Sequence, residues 1–382
     1  MRSDKYDVYI IRMFMKIPLY KPYVGEEETK AVLRVLQSRK LSRGPEVEAF
    51  EREFAKYTNK KFAVAVNSGT SGLHILVRVM AWKKGDEVIT TPFSYISSAN
   101  ALLFEGVTPV FVDIDPVTLN IDLKKIEEKI TSKTKGIMLV HIFGLSATSE
   151  ALRRIKKKYG LQIIEDACEA VGRIGDDFTI SQIGEASVYG FHENKQITTC
   201  GEGGMIVTDD PRIARICRSM RDQGRSLEKN WIKKVILGYN FRMTEVQATF
   251  GREQLKRIDS MLARRESIAR KYSDLLSGIA GVTIPEQSLL SKRSWFLYFI
   301  ILKNQKTRDY VHDRLTNAGI SSSTNYFPPI YKFPMYKDRK VRCDNSEKIS
   351  NTLLTLPMFF EMSDVEVENV ANVIRKSLTK KQ

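Results

Sequence analysis

A primary amine at Lys195, a carboxylate at Asp166 and a turn of small, hydroxylated residues, NSGTSG at 67–72, are the groups in this sequence whose types and order could do chemistry together. Lys195 lies in SVYGFHENKQITTCGEGGMIVTD, residues 187–209, between two apolar stretches at 187–191 and 205–208 that read as strands, with a glycine-rich turn at Gly201, Gly203 and Gly204. A loop lysine is ordinarily a solvated surface residue. An amine held between two packed strands can instead be kept for attack on a carbonyl, forming a Schiff base. Upstream, an apolar strand at 161–164 delivers Glu165 and Asp166 at its carboxyl end, where ligands gather in open parallel sheets. In NSGTSG, the residues Gly69, Thr70 and Ser71 precede a helical stretch at 73–80, so backbone N–H groups and hydroxyls would meet an anion at a helix N-terminus. The same residues would serve equally as an ordinary N-cap. An amine, an anion for a pyridinium nitrogen and a phosphate cradle are together what a pyridoxal phosphate (PLP) enzyme requires. Tyr95 or Phe93, at a strand end near the turn, offers a flat ring for stacking, although aromatic residues there also serve as core.

These groups need a frame, and the rest of the chain reads as one. Helices are expected at 26–37, 45–57, 94–104, 123–130 and 149–159, interleaved with strands at 62–66, 87–91, 108–112 and 136–141. That rhythm with short turns predicts a parallel, doubly wound sheet with helices on both faces. A helix at 211–220 and a polar loop lead to one long helix opened by a capping box of Thr244 and Gln247, which crosses into a second domain. Beyond it come a strand at 295–302, a helix at 307–318, the aromatic and proline-rich NYFPPIYKFPMY and a last helix at 363–377. The expected class is α/β: residues 1–16 as an extension, 17–260 as a large domain with a mainly parallel sheet between helices, and 261–382 as a smaller C-terminal α/β domain.

Composition bounds the function. The 382 residues are 42% hydrophobic, which suits a globular chain with a large core, and no apolar run is long enough to span a membrane or mark a signal peptide, so the cytoplasm is the expected location. Cys168, Cys200, Cys217 and Cys343 form no CxxC pair and no zinc spacing and read as free thiols, with Cys200 a small packing residue beside the glycine turn. The net charge of +16 favours anionic partners, but the basic residues are scattered and no nucleic-acid module interleaves them, so a solvated basic surface is the reading.

Taken in order, IPLYKPYVGEEE, NSGTSGLH, GDEVITTPFSYISSAN, IIEDACEAVG, FHENKQITTCGEGGMIVT, DQGR, LGYNFRMTEVQA, RSWFLY and NYFPPIY resemble the DegT/StrS family of PLP-dependent nucleotide-sugar aminotransferases, of the aspartate aminotransferase fold (fold type I). The resemblance runs from Ile17 onward and is more specific for the family than for the sugar. It implies that Lys195 holds PLP as a Schiff base and moves a proton as general base and acid, and that Asp166 pairs with the pyridine nitrogen. It also implies that Tyr95 stacks on the ring, that Gly69, Thr70 and Ser71 form the phosphate turn, and that Asn240 reaches the phosphate from a partner subunit in a homodimer with shared sites. The implied substrates are a keto-sugar nucleotide and an amino-acid donor, glutamate. The chain departs from the family pattern at Gly190, where a serine is frequent, at Glu169, where a glutamine lies near the O3′ of PLP, at the missing arginine before YFPPI, and at Tyr331, where histidine is frequent. Two other readings stand beside this one. A PLP-dependent sugar dehydratase of the same family would carry histidine in place of Lys195, and a basic regulatory chain on the same fold would draw on the positive charge.

Overall fold

A computed structural model of the chain describes residues 16–172, 180–226, 236–324, 328–336 and 341–379. Residues 1–15 of the expected extension, the end of the polar loop at 227–231 and parts of NYFPPIYKFPMY lie outside the described residues. The first helices are α1 (Glu26–Ser38) and α2 (Pro45–Tyr57), followed by β1 (Phe62–Val66), α3 (Gly69–Val79), β2 (Glu87–Thr90), α4 (Ser97–Leu103), β3 (Thr108–Phe111), β4 (Thr134–Val140), α5 (Glu150–Tyr159) and β5 (Gln162–Asp166). Then come β6 (Ala186–Gly190), β7 (Gly204–Thr208), α6 (Pro211–Arg221), α7 (Glu245–Lys256) and α8 (Ile258–Leu276). The C-terminal part holds β8 (Val282–Thr283), β9 (Tyr298–Leu302), α9 (Gln305–Asn317), α10 (Asp344–Thr352), β10 (Leu353–Leu356) and α11 (Asp364–Thr379).

Seven strands form one sheet in the order β1-β7-β6-β5-β4-β2-β3. The pairs from β6 through β3 are parallel, and β7 runs antiparallel to both of its neighbours. The fold is thus the expected α/β arrangement of a mainly parallel sheet between helices, with β7 reversed where the connection from β6, residues 191–203, holds no helix to carry a parallel crossover. Register brings the site together: Asp166 pairs with Val140 on one side and Val188 on the other, and Gly204 pairs with both Gly190 and Val66. The carboxyl ends of β1, β5 and β6 therefore meet the start of β7 at one edge of the sheet.

A second, antiparallel sheet, β10-β9-β8, packs with α9 and α11 around Tyr272, Tyr298, Val311 and Val370. The described start of the chain joins this cluster: Ile17 pairs with Ile320, and Met358 N–H donates to the Leu19 carbonyl.

Three local expectations are corrected. The stretch 123–130 is two short 3₁₀ turns, Leu123–Lys125 and Glu127–Lys129, because the Asp122 carboxylate accepts the Lys124 N–H and closes a tight turn. The long helix after the capping box is two helices broken at Arg257, whose guanidinium is drawn aside to the buried Glu28 carboxylate. The helix over the small-residue turn starts at Gly69, four residues early, because Ser68 is the N-cap and accepts the Ser71 N–H at 3.1 Å. The capping box at Thr244 and Gln247 is present. Its neighbour Glu245 turns its carboxylate to the N–H groups of Gly44, Glu46 and Val47 and so caps α2, a helix 200 positions away. α10 and β10 have no counterpart in the sequence reading, since DNSEKISNT carries too little apolar periodicity to stand out.

Candidate active site

Along β5 the side chains alternate between the two faces of the sheet, and this separates the two acids of IIED. Glu165, fully buried, accepts N–H groups from Ser181, Ile183 and Gly184 and faces His141 Nε2 at 2.8 Å. The Ala147 N–H donates to His141 Nδ1, so the ring proton sits on Nε2 and points at Glu165. Burial raises the Glu165 carboxyl, but the His141 bond and the N–H donors outweigh it and hold the carboxyl below the usual range. Glu165 is thus spent on structure. Asp166 faces the other way, into a cavity of about 590 Å³ at the carboxyl edge of the sheet.

That cavity is lined by Gly69, Thr70, Tyr95, Asp166, Glu169 and Lys195, six of the residues singled out in the sequence. Asp166 is 6% exposed; Ser98 Oγ–H donates to its Oδ2 at 2.6 Å and Cys168 N–H to its Oδ1 at 3.1 Å. No basic side chain pairs with it among the described residues. A buried carboxylate held by neutral donors alone suits a cationic N–H such as a protonated pyridine nitrogen. Lys195 enters from the loop after β6, with its Nζ 3.7 Å from Glu169 Oε1 and 3.9 Å from the centre of the Phe296 ring. The loop is fixed by Phe191, which packs edge-on to Phe54 at 5.4 Å, and by Gln196, whose Nε2 donates to the carbonyls of Glu169 and Ser294.

The small-residue turn supplies the third wall. Ser71 lies in the first turn of α3 with its Oγ 2.9 Å from Ser68 Oγ and does not itself line the cavity, while Thr70 Oγ1 lies 2.7 Å from Ser97 Oγ. Ser68 caps the helix, and the N-terminus it caps opens on the cavity. Gly190 and Gly69 approach Cys168 from two sides: a Cβ at Gly190 would lie 3.1 Å from Cys168 Cβ, and one at Gly69 would lie 2.7 Å from Cys168 Sγ. The thiol thus fills the space that a serine at position 190 would need. Burial, reinforced by Asp166, pushes the Cys168 thiol well above its ordinary range, so it stays neutral.

Tyr95 stands at the rim with 64% of its surface exposed, whereas Phe93 is buried edge-on against Phe143 and is core. Asn240 does not line the cavity; it is exposed on a loop held by the stack of Tyr239 on Phe241, with centroids 4.6 Å apart. Cys200 is exposed in a left-handed turn at φ 59°, so its expected packing role is not what the structure shows. All four cysteines are free thiols. Sequence reasoning missed Ser98, Phe296 and Ser323 as parts of the site. Ser98 was visible in SYISSAN as a hydroxyl in the first turn of α4, but nothing local marks Phe296 or Ser323, which reach the cavity from the C-terminal sheet region.

The model of the DegT/DnrJ/EryC1/StrS aminotransferase family matches residues 22–375. The chain belongs to that family. It is 35% identical over 375 residues to the spore coat polysaccharide biosynthesis protein SpsC of Bacillus subtilis, covering 94% of this chain and 96% of that one. It is 31% identical over 361 residues to GDP-perosamine synthase of Escherichia coli O157:H7, covering 94% and 98%. The solved structure of Helicobacter pylori PseC, an aminotransferase involved in the biosynthesis of pseudoaminic acid, superposes with a TM-score of 0.90 at 30% identity over 95% of this chain and 99% of that one. Membership of this aminotransferase family implies dependence on PLP, and the cavity fits that group: a carboxylate without a cation, a lysine amine and a helix N-terminus lie around one space. No helix among the described residues is long and apolar enough to cross a membrane.

Proposed function

We propose that this aminotransferase moves an amino group from an amino acid, glutamate, to a keto-sugar nucleotide in amino-sugar or surface-polysaccharide biosynthesis. The observation that carries the reading is the pairing, in one cavity, of the Lys195 amine with an Asp166 carboxylate that no cation neutralises among the described residues. PLP bound there would supply an electron sink for the carbon that gains or loses the amine. Lys195 would attach the group through Nζ and, once displaced, carry a proton on that atom between donor and acceptor carbons. Asp166 would keep a ring N–H charged, since an opposite charge in contact shifts a pKa by roughly 1–3 units. Gly69, Thr70 and Ser71 would hold the phosphate at the start of α3, and Tyr95 would cover the ring face.

The likeness to GDP-perosamine synthase and to PseC supports a sugar acceptor, and the former a nucleotide-linked one. The exposed position of Asn240, outside its own chain's cavity, supports a homodimer in which Asn240 serves the partner's site. We place the enzyme in the cytoplasm and take 17–260 and 261–382 as its two domains. The experiment is to incubate purified protein with glutamate and a panel of keto-sugar nucleotides and to detect the aminated product by mass. The reading expects product that is lost in Lys195→Ala; product formation undiminished in that variant overturns it.

A further inference from the structure

Lys195 is not free in this cavity. Its Nζ lies 3.7 Å from Glu169 Oε1, and its side chain is only 12% exposed. Among the described residues Glu169 is the one carboxylate within 4.0 Å of that amine. Glu169 is itself clamped at both ends. Phe143 N–H donates to its Oε2 at 3.1 Å, from a backbone held at φ 50°, and the Glu169 carbonyl accepts Gln196 Nε2 at 2.8 Å. Gln196 directly follows Lys195, so one backbone segment fixes both members of the pair. The Phe296 ring closes the opposite side of the ammonium at 3.9 Å.

We propose that Glu169 is the counter-ion of Lys195: in the cofactor-free site it holds Nζ as an ammonium, aimed into the cavity, and so restrains the amine from reacting with carbonyl compounds until the site is loaded. This is a positioning role. It uses Lys195 as the attachment residue named above, but the ion pair stands on its own geometry. A glutamine at this position would leave the amine facing a neutral amide.

The restraint depends on pH. Facing Glu169 are Lys195 from the loop after β6, and Asp166 and the neutral Cys168 thiol from the end of β5. The loop after β4 contributes the Phe143 N–H, and the C-terminal region contributes the Phe296 ring with the buried Arg265 bonded to its carbonyl. His192 lines the same cavity. Burial pushes the Glu169 carboxyl up to about 7 against the pull of Lys195. Below that pH the carboxyl takes a proton from solvent, an O–H bond replaces the negative charge, and the grip on Nζ is released.

The test is reductive methylation of the full chain, freed of cofactor, with formaldehyde and cyanoborohydride at a series of pH values, reading the Lys195 peptide by mass against exposed Lys40 as internal reference. Glu169→Gln removes the opposite charge facing the amine, so the Lys195 to Lys40 labelling ratio should rise, by on the order of tenfold, at mildly alkaline pH. In the unmodified sequence the same ratio should show an inflection near pH 7 that the variant lacks, a measurement that holds even if Glu169→Gln folds poorly. Superimposable profiles, or no inflection, overturn the proposal. Repeating the labelling with added PLP separates this from the functional reading. If PLP fails to protect Lys195 while the two profiles still differ, the attachment role falls and the counter-ion stands; protection with identical profiles gives the reverse.

Discussion

Asp166 and Ser98 define what a single residue contributes here. Asp166→Asn is close to isosteric and keeps the acceptor for Ser98, so the fold should survive while transamination falls by at least two orders of magnitude, because a neutral amide cannot hold a ring N–H charged. Steady-state turnover at saturating PLP checks this; near-normal turnover would remove Asp166 from the mechanism. Ser98→Ala deletes one hydrogen bond to a buried charge, worth about 1.5–3 kcal/mol, and should weaken PLP binding roughly ten- to a hundredfold in a fluorescence titration while leaving the attachment at Lys195. At this scale much was legible. Lys195 and Asp166 declared themselves because an amine between strands and a carboxylate at a strand end are chemically specific types in specific places. Phe296 did not, since the ring beside the amine comes from a strand region some hundred residues on and carries no local mark.

Among the elements, the loop after β6 depends on the aromatic packing beneath it. Phe191 is fully buried against Phe50 and Phe54, so Phe191→Ala should cost about 3–5 kcal/mol and lower the urea midpoint, with loss of PLP binding before loss of the C-terminal sheet. Gly190 offers a paired test. Gly190→Ser alone places a Cβ 3.1 Å from Cys168 Cβ and should lower Tm, whereas adding Cys168→Ala empties that space and should restore much of the loss. A double variant no more stable than Gly190→Ser would deny that Cys168 takes the room of a serine. The large elements were readable from apolar period, α2 and β1 to the residue. Some misses turned on side chains reaching across the fold, such as Arg257 turning to Glu28 at the break in the helix that period alone would continue, and others on local caps at Asp122 and Ser68 that apolar period does not register.

For the molecule as a whole, one carboxylate ties the edge of the large sheet to the C-terminal part. Asp113, just beyond β3, accepts Asn345 N–H, Ser346 N–H and Ser346 Oγ–H at the start of α10. Burial raises its carboxyl, but these donors outweigh it and hold it below its ordinary value of 3.8. A carboxyl depressed by folding adds stability that is present above the unfolded value and is lost as pH falls through the folded one. Asp113→Ala should therefore destabilise the fold at neutral pH by on the order of 1–3 kcal/mol in urea unfolding, and the difference should shrink as pH falls below the ordinary carboxyl value. A shared site would make a second whole-molecule test: mixed dimers of Lys195→Ala and Asn240→Ala chains should regain activity above either parent, and exchange without recovery would sink the composite reading. The strap at the start of the described chain has a consequence for how the protein is made. Ile17 and Leu19 rest on partners near Ile320 and Met358, so this segment has nowhere to lie until some 300 further residues have emerged. At about 5–20 residues per second that is roughly 15–60 s on the ribosome with an apolar stretch uncovered, long enough for a chaperone to find it. A chain stalled before Ile320 would keep that stretch uncovered.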